Sequence, residues 1–188
     1  MQRGFSLIEM IVSVALFAIV MLVAVGALLS IVDANRKARS LESVMNNLNI
    51  TLDGMVREIR MGTSYNCGSS AVPALATAAA DCVGGSSPAV FSFAPYGTNP
   101  TVQNTRWVYS FSNGVLYRSR DGGATQVAVT APEVTINSLV FYVAGTMRRE
   151  INQPKVVIVI QGTAGAQKNK TKTTFYIQST AVQRTLDL

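Results

Sequence analysis

The sequence predicts an α+β protein in which one long N-terminal helix is followed by an antiparallel β-sheet. An apolar run continues almost unbroken from Phe5 to Val32, and apolar residues then recur at helical spacing as far as Ile59. From about residue 90 the chain changes to short segments rich in β-branched and aromatic residues, separated by turn signals. These observations predict a helix with a membrane half and an amphipathic half, the latter packed on the sheet.

The apolar run is long enough to cross a membrane as a helix. It is about 28 residues long, and a helix needs roughly 20 to span a bilayer core. Glu9 lies near its start, and a carboxylate at membrane depth costs about 2.5–3.5 kcal/mol, so it usually has a partner or a function. A secretory signal has its cleavage site after the apolar segment. Here Gly4 precedes the run, so a cut after Gly4 would leave the helix on the mature chain.

The amphipathic half of the helix begins where the composition changes at Asp33. The basic residues Arg36, Lys37 and Arg39 follow at once, which is typical of a membrane boundary. A stripe of apolar residues at spacings of three and four then predicts one buried helix face. Its members are Leu41, Val44, Leu48, Leu52, Met55, Val56 and Ile59. Gly62 is predicted to end the helix, and Arg57, Glu58 and Arg60 are predicted to form a solvated last turn.

A Gly/Ala/Ser-rich stretch from Thr63 to Pro88 is predicted to be a loop that connects the helix to the sheet. It contains both cysteines of the chain, Cys67 and Cys82. A pair in this position fits a disulfide formed in an oxidising compartment, and closing a loop of about 15 residues would contribute roughly 3 kcal/mol in the chain-entropy model. The alternative is two free thiols.

The remaining chain reads as strands. The clearest hairpin signal is Asn113-Gly114, because a type I′ turn requires positive φ at both central residues. The segment from Lys155 to Gln161 lacks alternation, which predicts a central strand buried on both faces. The predicted strands are Val90–Phe93, Arg106–Phe111, Val115–Arg118, Gln126–Val129, Val134–Val143, Lys155–Gln161 and Thr173–Val182.

Composition gives little support to catalysis or metal binding. The chain has no histidine, which removes the commonest general base and metal ligand, and it has neither a nucleophile elbow nor a phosphate-binding glycine loop. No catalytic residue, metal or cofactor is predicted. Asp121 is interpreted as a turn residue rather than a calcium ligand, and Trp107 and Tyr109 as core residues rather than a ligand platform.

The formal net charge is +6. Such a mildly basic balance permits attraction to anionic lipid or nucleic acid but argues for neither. Lys168, Lys170 and Lys172 alternate in a polar stretch and are interpreted as a solvated hairpin tip. Nucleic acid is therefore not expected as a partner.

The first residues carry a family resemblance. Gly4-Phe5-Ser6-Leu7-Ile8-Glu9 resembles the processing signature of type IV pilins and type II secretion pseudopilins. The resemblance implies that a prepilin peptidase cuts after Gly4, that Phe5 becomes the N-methylated terminus and that Glu9 directs assembly of a filament. It also implies the pilin fold, which is a long helix laid against an antiparallel sheet. The length and the late strand pair around Gln153-Pro154 look similar to J-type minor pseudopilins.

The resemblance implies a division of the chain and a set of partners. Residues 1–4 would be the leader, 5–32 the transmembrane helix half, 33–62 the amphipathic half, and 63–188 the disulfide loop and sheet domain. The partners would be other pilin or pseudopilin subunits, prepilin peptidase, an inner-membrane assembly platform and membrane lipid. The C-terminal domain would lie outside the cytoplasm, in the cell envelope or on an extracellular filament.

Two alternatives remain open at the level of sequence. The N-terminal segment could be a plain signal anchor with a chance acid. The protein could also be a membrane-tethered monomeric binding module that captures DNA or adheres to a surface. The sequence does not distinguish a pilus from a secretion system or a DNA-uptake apparatus, nor a major from a minor subunit.

Overall fold

The computed structural model of the chain describes residue 4 and residues 6–67, 78–85, 90–147, 152–164 and 173–184, except for the side chain of Ser40. The chain divides into two compact units, Met1–Ser40 and Leu41–Leu188. One long α-helix, α1, runs from Leu7 to Arg60, and a short 3₁₀ helix spans Gln103–Thr105. The long N-terminal helix predicted from the sequence is confirmed, and it ends two residues before Gly62.

In the residues described after the helix there are eight strands, and every neighbouring pair within a sheet is antiparallel. The first sheet has the order β1-β2-β3-β4-β5 and the second has the order β6-β7-β8. The α+β class is therefore confirmed. The strands are β1 (Gly62–Asn66), β2 (Val90–Pro95), β3 (Trp107–Ser112), β4 (Val115–Ser119), β5 (Val127–Ala128), β6 (Val134–Ala144), β7 (Lys155–Ala164) and β8 (Thr173–Val182).

The division into two sheets was not predicted from the sequence, which suggested one. It follows from the connection between β5 and β6. A turn there is closed by the hydrogen bond from the Val134 N–H to the Ala131 carbonyl, at 3.0 Å. Pro132 lies inside this turn and has no N–H to donate to a ladder. The chain is thus redirected, and β6 pairs with β7 instead of extending the first sheet.

Strand β1 is a second difference between the structure and the sequence prediction, because a loop was predicted from Thr63 onward. Its composition gives a weak strand signal, and tertiary contacts fix its place. Tyr65 is buried, and its hydroxyl donates to the Ile59 carbonyl at 2.6 Å. A Cβ atom at position 62 would overlap the ring of Phe93. Only glycine therefore allows β1 to lie this close to β2.

The hairpin predicted at Asn113-Gly114 is confirmed. Both residues have positive φ, 49° and 81°, and the flanking residues Ser112 and Val115 pair across the β3–β4 ladder.

Strand β7 is central in its sheet, as predicted, but its two faces are not equally buried. Val156, Ile158 and Ile160 face the core, whereas the alternate residues are only half-buried. The prediction that both faces are buried was wrong.

The apolar stripe of α1 forms the centre of the core in the second unit. It belongs to one buried cluster together with side chains from both sheets, including Phe91 and Phe93 of β2 and Phe141 of β6. The stripe residues Val44, Leu48, Leu52, Met55 and Ile59 are buried, and Leu41 and Val56 pack at its margin. The predicted packing of this helix face on the sheets is confirmed.

Replacement of Leu48 by aspartate tests this packing. The side chain is 2% exposed, so Leu48→Asp should bury an unpaired charge and lower the free energy of unfolding by about 3 kcal/mol or more, or prevent folding. Thermal unfolding of the detergent-solubilised chain by circular dichroism is the measurement. Asn49→Asp is the matched control, because Asn49 is the next residue and is exposed. Equal melting temperatures for the two variants would show that this face does not pack as described.

Candidate functional site

The N-terminal end of α1 contains the residues singled out by the sequence. Ser6 precedes the first helical residue, and its hydroxyl oxygen accepts the Glu9 N–H at 3.4 Å. Its carbonyl accepts the N–H groups of Glu9 and Met10, at 3.1 and 3.3 Å. Ser6 therefore caps the helix. Phe5 lies outside the described residues.

Glu9 lies in the first turn of α1. An acid in this position is favoured by the positive end of the helix dipole, although the gain is only about 0.3–1 kcal/mol at an exposed site. The residue is exposed, and within the described part of the chain no cation forms an ion pair with its carboxylate. The described residues thus give the Glu9 carboxylate no ion-pair partner.

The helix around Glu9 presents apolar side chains on all sides. An 18-residue window of α1 has a mean hydropathy of 2.9, and none of it is buried within the chain. Large apolar residues from Leu7 to Val32 are between 38% and 78% exposed. Such a surface is stable only in lipid or against other apolar helices.

Gly4 is exposed, and a Cβ atom at this position would have nothing within 4 Å. Nothing in the described fold therefore requires a glycine there. A requirement for glycine at this position would have to come from a processing enzyme and not from folding.

A second cluster was missed by the sequence reasoning, which placed Glu58 in a solvated last turn. Its side chain is only 15% exposed. One carboxylate oxygen accepts from the guanidinium groups of Arg118 and Arg120, both at 3.0 Å. The other accepts from the hydroxyl of Tyr109. Glu58 therefore joins the end of α1 to β3, to β4 and to the residue that follows β4.

Aromatic residues complete this cluster. Burial, together with the hydrogen bond to Glu58, raises the pKa of the Tyr109 hydroxyl, so it remains a donor. The guanidinium carbon of Arg120 lies 4.6 Å from the centroid of the Trp107 ring, a cation–π contact. Tyr109 is a core residue as predicted, and Trp107 packs partly buried against the core. No local periodicity signals such a cluster, because Glu58 lies about 50 to 60 residues before its partners in the chain.

Cys67 and Cys82 lie side by side, with sulfur atoms in bonding contact and Cα atoms 6.2 Å apart. This Cα separation is within the range that a disulfide allows. The segment around Cys82 is also held by backbone hydrogen bonds to Val143, at 2.9 and 3.4 Å. The cross-link would therefore tie the end of β1 to a segment already docked on β6.

Asp81 strengthens the same attachment. Its carboxylate accepts from the N–H of Gly145 and from the N–H and hydroxyl of Thr146, at 3.2, 2.9 and 2.7 Å. Partial burial would raise the pKa of Asp81, but the hydrogen bonds from Thr146 and Gly145 outweigh it and lower the pKa below 3.8. The carboxylate is thus ionised at neutral pH and serves as an acceptor between two loops.

The remaining described acids were compared with the requirements of a metal site. In the part of the chain that the structure describes, no three His, Cys, Asp or Glu residues come together as a set of ligands. Asp121 accepts hydrogen bonds from the Ser119 hydroxyl and the Thr125 N–H, which lower its pKa to about 2. It is a turn residue, as predicted. Lys168, Lys170 and Lys172 lie outside the described residues.

Comparison with known families gives one match. Residues 1–25 match the family model described as the prokaryotic N-terminal methylation motif. This segment includes Gly4, Phe5 and Glu9, and it supports the type IV pilin and pseudopilin superfamily. No curated protein and no solved structure matches the chain.

The cysteine pair gives a first prediction from these sites. If a disulfide joins Cys67 to Cys82, the mass of the freshly isolated, unreduced chain should be two hydrogens below that of the reduced chain. Alkylation before reduction should leave both residues unmodified, and alkylation after reduction provides the control. Two thiols alkylated before reduction would exclude the bridge.

The Glu58 cluster gives a second prediction. Glu58→Gln keeps the shape of the side chain but removes the charge that Arg118 and Arg120 share. The free energy of unfolding should fall by about 1–3 kcal/mol. Glu42→Gln is the control, because Glu42 is an exposed acid on the same helix half. Denaturant unfolding compares the two, and an equal effect would show that the cluster does not hold the helix end.

Proposed function

We propose that this chain, which carries the prepilin-type N-terminal methylation motif, is a structural subunit of a type IV pilus-like or type II secretion filament. The observation that carries the proposal is the match of residues 1–25, which describes a pilin-like substrate of prepilin peptidase. It is supported by an exposed apolar helix that begins with an acid, Glu9, without an ion-pair partner among the described residues. The motif indicates a structural protein, and a role without catalysis is part of the proposal.

Processing would remove Met1 to Gly4 and leave Phe5 as the N-methylated terminus. The geometry supports this cut, because Gly4 is exposed and lies before the helix. The capping residue Ser6 would stay on the mature chain. The helix would therefore keep its start after cleavage, with Glu9 in its first turn.

The processed subunit would be held in the inner membrane by residues 5–32. The amphipathic half, 33–62, and the disulfide loop and sheet domain, 63–188, would lie outside the cytoplasm. The cysteine pair supports a location of this domain outside the cytoplasm, because disulfides persist in oxidising compartments. The basic residues Arg36, Lys37 and Arg39 weakly favour the opposite orientation, because positive residues that flank a membrane span are usually cytoplasmic. Long domains, however, cross a membrane largely regardless of charge.

Assembly would bring the Glu9 carboxylate to the amine of Phe5 on a neighbouring subunit. Apolar helices in a filament core have no directional contacts of their own beyond close packing, so one ion pair at a fixed depth would set the axial register. The partners of this step would be other pilin or pseudopilin subunits and the inner-membrane assembly platform, after prepilin peptidase has acted.

Replacement of Glu9 by leucine tests the proposal in cells that contain the native partner subunits. Membrane insertion should be maintained or improved, because the cost of placing a carboxylate in lipid disappears. The N-terminal mass should still show loss of Met1–Gly4 and one added methyl group. Incorporation into sheared filaments should fall by roughly tenfold or more, because loss of about 1.4 kcal/mol of pairing changes an equilibrium tenfold.

Ser13→Leu is the matched control, because it removes a polar residue one turn later in the same apolar helix without removing a charge. This variant should assemble normally. A tethered monomer would tolerate both changes and an unprocessed anchor would retain Met1. Normal incorporation of Glu9→Leu beside wild-type subunits would reject the assembly role of Glu9.

A further inference from the structure

Strand β8 forms an edge of the second sheet. Each of its ten residues, Thr173–Val182, has a partner on β7, and the register between the two strands has no shift. Nothing in the described part of the chain forms a backbone hydrogen bond to the other side of β8. Its outer edge therefore presents a regular series of main-chain donors and acceptors.

The opposite edge of the same sheet, strand β6, is partly covered by other segments of the chain. The Cys82 N–H and carbonyl exchange hydrogen bonds with Val143 near one end of β6, and the Ile136 N–H donates to the Gly114 carbonyl at 2.8 Å near the other end. A register shift between Ile136 and Ser138 further distorts this strand. The fold thus covers and bends the β6 edge, but the described residues leave the β8 edge open.

The sequence of β8 lacks the features that usually protect an open edge. Its residues include no charged side chain and no proline, and such features normally prevent pairing with another chain. Ile177 and Ser179, on the core-facing side, are only half-buried. An added strand would complete their burial. The open edge is therefore suited to strand addition.

A cationic cavity lies at the C-terminal end of β8, two residues beyond Val182. It has a volume of about 400 Å³, and its lining residues include Arg57, Arg60 and Arg184. The Arg184 N–H is bound to the Arg60 carbonyl at 2.9 Å. Asp53 is the acid among the lining residues, so the charged residues of the lining are three arginines and one aspartate. Among the described residues, no carboxylate forms an ion pair with these three arginines.

We propose that the β8 edge binds an extended segment of a different protein chain, which adds to the sheet as a strand and carries acidic residues that enter the cavity at Arg184. Strand addition gives affinity through main-chain hydrogen bonds, and the side chains give selectivity. Charge complementarity favours an acidic partner over a second copy of this chain, because a second copy would bring the same arginines. The inference does not depend on Glu9 or on filament assembly.

Two lysine substitutions separate the edge from the surface around it. Ser179 lies on the core-facing side of β8, where an added strand would cover it, so Ser179→Lys would place a charge beneath the incoming segment. Gln178 is its neighbour on the exposed face. Gln178→Lys adds the same charge where an added strand would leave it in water, and it is therefore the matched control.

The experiment uses the full chain in detergent and two fluorescent peptides about as long as β8. Both peptides alternate threonine and valine, and they differ only at one end, which carries two glutamates in one and two lysines in the other. Fluorescence anisotropy should show saturable binding of the glutamate peptide and roughly tenfold weaker binding of the lysine peptide. Ser179→Lys should weaken binding of the glutamate peptide roughly tenfold or more, and Gln178→Lys should leave it unchanged.

Arg184→Glu tests the cavity separately and should reverse the preference between the two peptides. Circular dichroism melts of all three variants establish that each is folded. Absence of binding to the glutamate peptide, equal binding of the two peptides, or equal effects of the two lysine substitutions would overturn the proposal. Self-association of the wild-type chain that Ser179→Lys abolishes, without binding of the glutamate peptide, would assign the edge to a second copy instead.

Discussion

The constraint on which the second unit depends is that one face of the helix half from Leu41 to Arg60 must be covered. Short isolated helices are marginal in water, so the stability of this half comes from burying its apolar stripe, at roughly 1.5–3 kcal/mol for each large side chain. Both sheets contribute to the same buried cluster as this stripe. The position of each sheet, and with it the Glu58 cluster and the open edge of β8, follows from that shared core.

In the first half of the same helix, the apolar side chains are not covered by other parts of the described chain. Between Leu7 and Val32 the large apolar residues are exposed within the chain, and no face is polar enough to remain stable in water. The sequence changes at Asp33, where charged residues begin. One continuous helix thus carries two surfaces that require different surroundings. The described residues cover the apolar face of the amphipathic half but not the apolar surface of the first half. The functional proposal therefore includes a membrane and neighbouring helices.

The parts of the fold that the sequence predicted are those with a local signal. The stripe from Leu41 to Ile59 has its own period, and Asn113-Gly114 fixes its own turn, so both were predictable. Strand β1 was not, because Tyr65 and Gly62 are explained only by contacts with Ile59 and Phe93. At the candidate site, the motif at Gly4 and Glu9 could be identified from its resemblance to the processing signature of type IV pilins and pseudopilins. The cluster around Glu58 could not, because its partners Arg118 and Arg120 come from a distant hairpin.

Glu9 and Glu58, near the two ends of α1, differ in the partners that the described fold gives them. Glu58 is mostly buried and has two arginines and a tyrosine hydroxyl as partners within the chain, so its charge is compensated by folding alone. Glu9 lies in a far more apolar stretch, yet no described residue pairs with it. A carboxylate that enters lipid needs a cation or a proton. In the proposed filament, the amine of a second subunit would supply the cation that the described residues of this chain do not.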